Sequence, residues 1–283
     1  MRERAYLFLF IGIIAMATAS IFIRLAQAPP LIIAVYRLII SSLILGLIYG
    51  KKIEFKWDAI PLMIISGISL GIHFYTWISS VLLTSVANAV VLVNTNPIFI
   101  VLLSLIIDKK KPPAHYFLSL FFVIIGMILI TNNDINLALG KGELLAIIGG
   151  FCMAVYLYIG NKVSNKVSFI TYITLVYSTA SIFLFIINLF SSYPLFNYPL
   201  KTYFFILLLA LIPQLIGHSS ANYAIRILPP SSVALMILGE NVFATIFAYI
   251  FLKESISLLQ AFGMIIISFA IFYNSLKERE AIL

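Results

Sequence analysis

Residues 231–254 read SSVALMILGENVFATIFAYIFLKE. From Val233 to Leu252 the only formally charged residue is Glu240, and it stands near the middle of the run. A helix of about 20 apolar residues is about 30 Å long, the thickness of a bilayer's hydrocarbon core. The run therefore reads as a membrane span with a carboxylate inside it.

The rest of the chain supports that medium. Of its 283 residues, 63% are hydrophobic and 10% charged, against about 25% charged residues in a soluble domain. Apolar stretches of span length recur, and ten are expected: Ala5–Ile23, Leu31–Tyr49, Ala59–Ser79, Ser85–Ile107, Tyr116–Thr131, Leu144–Gly160, Phe169–Leu189, Tyr203–Ala224, Ser231–Leu252 and Leu258–Leu276. The fold class is all-α and integral to a membrane, with short loops and no attached soluble domain. The first span has a basic start, MRER, and an Ala-x-Ala at Ala26–Ala28. Its apolar stretch exceeds that of a signal peptide and a proline follows the would-be cleavage site, so it is expected to be retained.

Charge orients the spans. With the N-terminus in the cytoplasm, thirteen basic residues, from Arg2 and Arg4 through Lys109, Lys110 and Lys111 to Lys277 and Arg279, fall on the cytoplasmic side. Four, Arg24, Lys141, Lys201 and Lys253, fall outside. The positive-inside rule then places both termini in the cytoplasm, and the cytoplasmic (plasma) membrane is the expected location. It also accounts for most of the net charge of +8 without a nucleic-acid partner. The single cysteine, Cys152, forms no intrachain disulfide.

The chain also repeats itself. Shifted by 145 residues, GIHFYTWISSVLLTSVANAVVL from Gly71 lies over IGHSSANYAIRILPPSSVALMI from Ile216, which puts His73 on His218 and Ala89 on Ala234. A further slip of one lays Asn96–Ile106 over Glu240–Ile250, and AMATA from Ala15 more weakly matches CMAVY from Cys152. Five spans followed by five similar ones imply two repeats, 1–136 and 137–283, the second entering the membrane from the opposite side.

Three motifs carry a resemblance: AVYR at Ala34–Arg37, TSVANAVVLVNTNPIF at Thr84–Phe99, and LGENVFATIFAYIFLKESISLLQAFG at Leu238–Gly263. With the ten-span double pattern they resemble the EamA-type branch of the drug/metabolite transporter superfamily over nearly the whole chain. The resemblance implies carriage of small metabolites and names none. Asn241 stands where the family commonly has proline, and the first repeat has IIDKKK where LGE is usual.

Candidate site residues follow from cost and spacing. A charge at a helix centre costs about 2.5–3.5 kcal/mol on insertion scales, so it faces a cavity or a partner. Glu240 and Arg37 are such charges, one in each repeat. Arg37 suits a carboxylate or phosphate of the substrate. Glu240 suits an amine, or carries a coupling proton. Against these readings stand a bracing Arg37–Glu240 ion pair and a protonated, hydrogen-bonded Glu240. His73, with Trp77 beside it, lies on a polar stripe with Ser66, Ser69, Thr76 and Ser80. Asn88 and Thr95 share a face of the fourth span, and Gln214, His218 and Asn222 recur at a spacing of four in the eighth. The repeat-equivalent His73 and His218 are candidates for proton relay or for bonds between helices. Isolated Ser and Thr residues also serve simply as glue between helices. The fifth and tenth spans lack such stripes and are expected to face lipid or a partner.

Three histidines and one cysteine without ligand spacing argue against a metal. No cofactor or enzyme motif occurs, and the missing phosphate loop argues for gradient-driven transport. The partners expected are a small-molecule substrate and the bilayer, with the chain a monomer or homodimer. A lipid-modifying enzyme and a passive channel are the alternatives.

Overall fold

A computed structural model describes residues 2–131 and 140–280. The expected repeat boundary at 136/137 lies outside the described residues. Among those residues there is no β-strand, and nine helices are long and apolar enough to cross a membrane. We number the helical elements α1 Arg2–Ala26, α2 Pro30–Tyr49, α3 Ile60–Leu83, α4 Val86–Val93 with Asn96–Ile107, α5 Ala114–Thr131, α6 Lys141–Val163, α7 Phe169–Leu189, α8 Leu200–Ala224, α9 Pro230–Leu252 and α10 Leu258–Glu280. The apolar part of α5, Ala114–Ile130, is shorter than the nine. The chain is a multi-pass membrane protein.

Local chemistry sets several ends. Gln27 closes α1 in the left-handed conformation at φ 51°, and Pro30 opens α2 at a position that needs no N–H. Ser85 caps α4 by accepting from the Asn88 N–H at 3.2 Å.

Three helices are interrupted at mid-length: α1 at the single residue Thr18, and α4 and α9 over two residues each, where the cause is plain. In α4, Pro97 has no N–H to offer the Val93 carbonyl and its ring crowds it, so the helix stops at Val93 and restarts at Asn96. In α9 the helix stops at Ile237 and restarts at Glu240. Here Asn241 takes the place of a proline, and its Nδ2 donates to the Leu238 carbonyl at 2.9 Å. α8 deviates differently. It widens to π-helical geometry over Ala210–His218, around Pro213.

The packing is cross-linked between the two halves of the chain. α3 lies along α6, α1 along α8, α5 along α10, and α7 against both α2 and α3. α4 packs on α6, α9 on α1, and α4 and α9 meet each other. Within a bilayer the hydrophobic effect does not drive helices together, so close backbone approach matters. At the α5–α10 crossing a Cβ on Gly263 would lie 2.6 Å from the Gly126 carbonyl oxygen. Outside this crossing, Phe121, Ile128, Phe262, Ile265 and Phe269 are exposed, as a lipid-facing pair requires. Gly263→Leu is expected to lower the thermal midpoint in detergent, since overpacking costs about 1–3 kcal/mol. Gly46, with open space around it, accepts Ala without that loss. Equal midpoints for the two variants would refute the crossing.

Candidate functional site

The interruptions of α4 and α9 and the π-helical part of α8 surround one small cavity. Its lining includes His73, Trp77, Asn94, Asn96, His218 and Glu240. Its free volume is about 20 Å³, room for about one water molecule. The site is therefore closed around its polar groups, and a metabolite enters only if helices move.

Glu240 is the first residue of the second half of α9, and it is buried. The partial positive charge of a helix N-terminus favours a carboxylate there. No ion pair or hydrogen bond joins Glu240 to Arg37. A direct brace between the two charges is absent in this conformation.

Arg37, fully buried in α2, stands one layer behind the cavity. Its Nε donates to Gln214 Oε1 at 2.9 Å, and its guanidinium carbon lies 4.0 Å from the centre of the Phe74 ring. Among the described residues, Nη1 and Nη2 have no hydrogen-bond partner. The Phe74 ring in turn meets His218 edge-on, with centroids 4.9 Å apart. A line of contact thus runs from Arg37 through Phe74 and His218 to the cavity that Glu240 lines. Leaving two buried charged donors unpaired is costly. The fork is held in plane by Gln214 and by the ring, with its free edge available to an anion.

The two histidines come together, with ring centroids 6.0 Å apart. His73 Nδ1 donates to the Gly149 carbonyl at 2.9 Å, and its ring stacks on Trp77. Trp77 Nε1 and His218 Nδ1 are buried without hydrogen-bond partners among the described residues. Asn222 Nδ2 donates to the His218 carbonyl at 2.7 Å and to the Tyr156 hydroxyl, and its Oδ1 has no partner. Asn88 and Thr95 are placed elsewhere. The Asn88 backbone serves the α4 cap, and Thr95 Oγ1 donates back to Leu92 O at 2.8 Å, against α6. Ser66, on the stripe of α3, bonds the Tyr172 hydroxyl at 2.7 Å and acts as glue between helices.

Sequence reasoning did not single out Phe74, Tyr156 or Tyr177, since an aromatic in an apolar span looks like core, and it also passed over Asn94. Tyr177 bonds Ser219 Oγ at 3.2 Å, beside Gln214. Outside the spans, a hydrogen bond from the Lys166 ammonium, and its charge, hold the Asp58 carboxyl below its ordinary range. That contact is present at neutral pH and is lost as acid protonates Asp58.

The polar cavity lies between interrupted helices, and comparison with known proteins gives the family. Residues 3–132 and 140–276 each match the EamA-like transporter family. The chain belongs to that family. An uncharacterized transporter of Archaeoglobus fulgidus is 25% identical over 294 residues, which span 99% of this chain and all of that one. A solved crystal structure of a protein 16% identical superposes with a TM-score of 0.80 over 99% of each chain, a likeness of fold. The EamA-like chain is a membrane transporter, acting on a small molecule within a lipid bilayer.

Proposed function

We propose that this transporter exports small metabolites such as amino acids across the cytoplasmic membrane by alternating access. In this reading ten helices form two inverted five-helix repeats, 1–136 and 137–283, with the substrate between them near the midplane. The pairing of helices supports the repeat. α3 on α6 corresponds to α8 on α1, while α2–α7, α4–α9 and α5–α10 are each pairs of equivalent helices. The paired interruptions at Val93 and Ile237 support it too.

One observation carries the functional reading. A carboxylate at a helix break shares a closed cavity with polar groups that back onto a buried guanidinium with two unpaired donors. Arg37 binds the anionic end of the substrate after a small rearrangement. Glu240 binds an amine or carries a coupling proton. His73, Trp77, His218 and Asn222 line the path, and Asn88 and Thr95 contribute from α4 as it moves.

The test is a comparison of external metabolites, by mass spectrometry, between cells overexpressing the protein and cells lacking it. A metabolite enriched outside the overexpressing cells is then expected to show saturable counterflow in liposomes. No difference between the cells would overturn export, and a flux linear in concentration would mean a channel. Topology has its own check. Lys110→Cys and Lys277→Cys are expected to resist an impermeant label applied to intact cells, while Lys141→Cys reacts. The remainder of the connection expected to be accessible, 132–140, lies almost wholly outside the described residues. Labelling at position 110 from outside would refute the orientation.

A further inference from the structure

Two ion pairs stand at opposite ends of the bundle and have the same construction. Lys162, in the last turn of α6, pairs with Asp108, the residue that follows α4, and its ammonium also lies 5.2 Å from the Tyr158 ring. Arg24, in the last turn of α1, lies 3.7 Å from Glu254, two residues beyond α9. Its Nη2 also donates to the Thr84 carbonyl at 2.9 Å, and Thr84 Oγ1 donates to Glu143 at 2.6 Å. Each pair thus ties the C-terminal end of a helix lining one half to the end of the interrupted helix of the other. Each also joins the two family-matched segments, 3–132 and 140–276.

The separation of the pairs follows from α6 alone. Glu143 is in its first turn and Lys162 in its last. At 1.5 Å per residue those positions are about 28 Å apart, a bilayer's thickness. The Arg24 cluster is tied to the Glu143 end and the Asp108 pair to the Lys162 end. Between them lies the cavity of about 20 Å³, whose wall includes the breaks of α4 and α9. The second halves of those interrupted helices lead directly to Asp108 and Glu254. A half-helix hinged at its break moves its outer end most, so the pair at that end opens as the helix swings; that of α9 passes through a π-helical turn at Ala248–Leu252 before it reaches Glu254. Both pairs are partly exposed, with side-chain exposures of 40% and 19% for Lys162 and Asp108, and 33% and 41% for Arg24 and Glu254. Exposed pairs are weak, so they break at small cost in a cycle.

We propose that Asp108–Lys162 and Arg24–Glu254 are the two gates of the transport cycle, closing opposite ends of the central cavity and opening in turn. The structure holds both shut. The gates rest on the alternating-access reading proposed above, and the assignment of ends on its topology: Asp108–Lys162 faces the cytoplasm and Arg24–Glu254 the outside.

The experiment uses a Cys152→Ser background with Ala19→Cys, a cavity-lining position, as reporter. An impermeant maleimide is applied to intact cells and to inverted membrane vesicles. Glu254→Gln is expected to speed labelling about two- to five-fold from the outside alone, and Asp108→Asn by a similar factor from the cytoplasmic side alone, the range an exposed ion pair supplies. The exchanged pair, Asp108→Lys with Lys162→Asp, is expected to return to the parent rate, which separates a lost gate from a damaged fold. Acceleration with the two sides reversed would uphold the gates and overturn the orientation. Unchanged labelling in both variants, or acceleration on the same side in both, would overturn the gates, and counterflow activity measured in parallel tells whether the transport reading stands without them.

Discussion

Arg37→Lys is expected to insert and fold, and to lose at least about nine-tenths of transport. Lysine keeps the charge, but it has no Nε to donate to Gln214 and no plane to lie on Phe74. The ammonium is a point charge on a flexible stem, and the fork that would present two parallel donors to an anion is gone. Hydrogen bonds to a charged group contribute about 1.5–3 kcal/mol, and tenfold corresponds to about 1.4 kcal/mol. Loss of one such bond to the bound substrate therefore suffices. Arg37→Met separates function from stability. Two buried donors have no partner in the closed state, so replacing the guanidinium by an apolar chain is expected to leave the thermal midpoint equal or higher while transport disappears. Counterflow in liposomes and thermal denaturation of the same preparations decide this. Full activity in Arg37→Gln would show that no anionic group is read at this position.

The limits of the sequence lie where periodicity stops carrying information. Apolar runs located the helices, because length and composition alone decide what a bilayer accepts. The apolar part of α5 is the exception, ending up shorter than the other nine. The runs did not reveal that α4 and α9 are interrupted, since the short polar stretches VNTNP at Val93–Pro97 and GEN at Gly239–Asn241 are enclosed in longer apolar runs. Pro97 marks the first break through its missing N–H, and the second has no proline to mark it. The departure at Asn241 becomes intelligible only with its side chain on the Leu238 carbonyl. Arg37 and Glu240 stood out through the cost of charge in lipid, and that cost says nothing of their separation. Spacing by four identified Gln214, His218 and Asn222. It could not foresee the π-helical geometry around Pro213 that turns Gln214 toward Arg37. Thr95 shows the converse: a residue on the expected face satisfies its own hydroxyl on Leu92 and turns to α6.

Glu240→Gln separates two roles for the carboxylate, and the structure sharpens the expectation. If Glu240 braced Arg37, its removal would leave a formerly paired buried charge alone, at about 3–5 kcal/mol. Poor expression and a lower midpoint would follow, and Arg37→Met with Glu240→Leu would restore stability. No bond joins the two residues here, and Glu240 instead sits at the start of a half-helix on the cavity wall. Glutamine keeps the shape and loses the charge, together with its favourable position at a helix N-terminus, a contribution of about 0.3–1 kcal/mol. The expected variant is therefore stable to within a few degrees of the parent. The rest follows from the coupling role proposed for Glu240. A carrier that moves a proton on Glu240 in each cycle loses uphill, pH-driven accumulation when the position no longer ionises. Exchange between substrate pools needs no net proton movement, and it is expected to continue. Both quantities are read from one purified preparation in liposomes, with and without an imposed pH gradient. A stable Glu240→Gln protein that still accumulates substrate against its gradient would remove Glu240 from the coupling mechanism, and a destabilised one rescued by the double change would make it a brace after all.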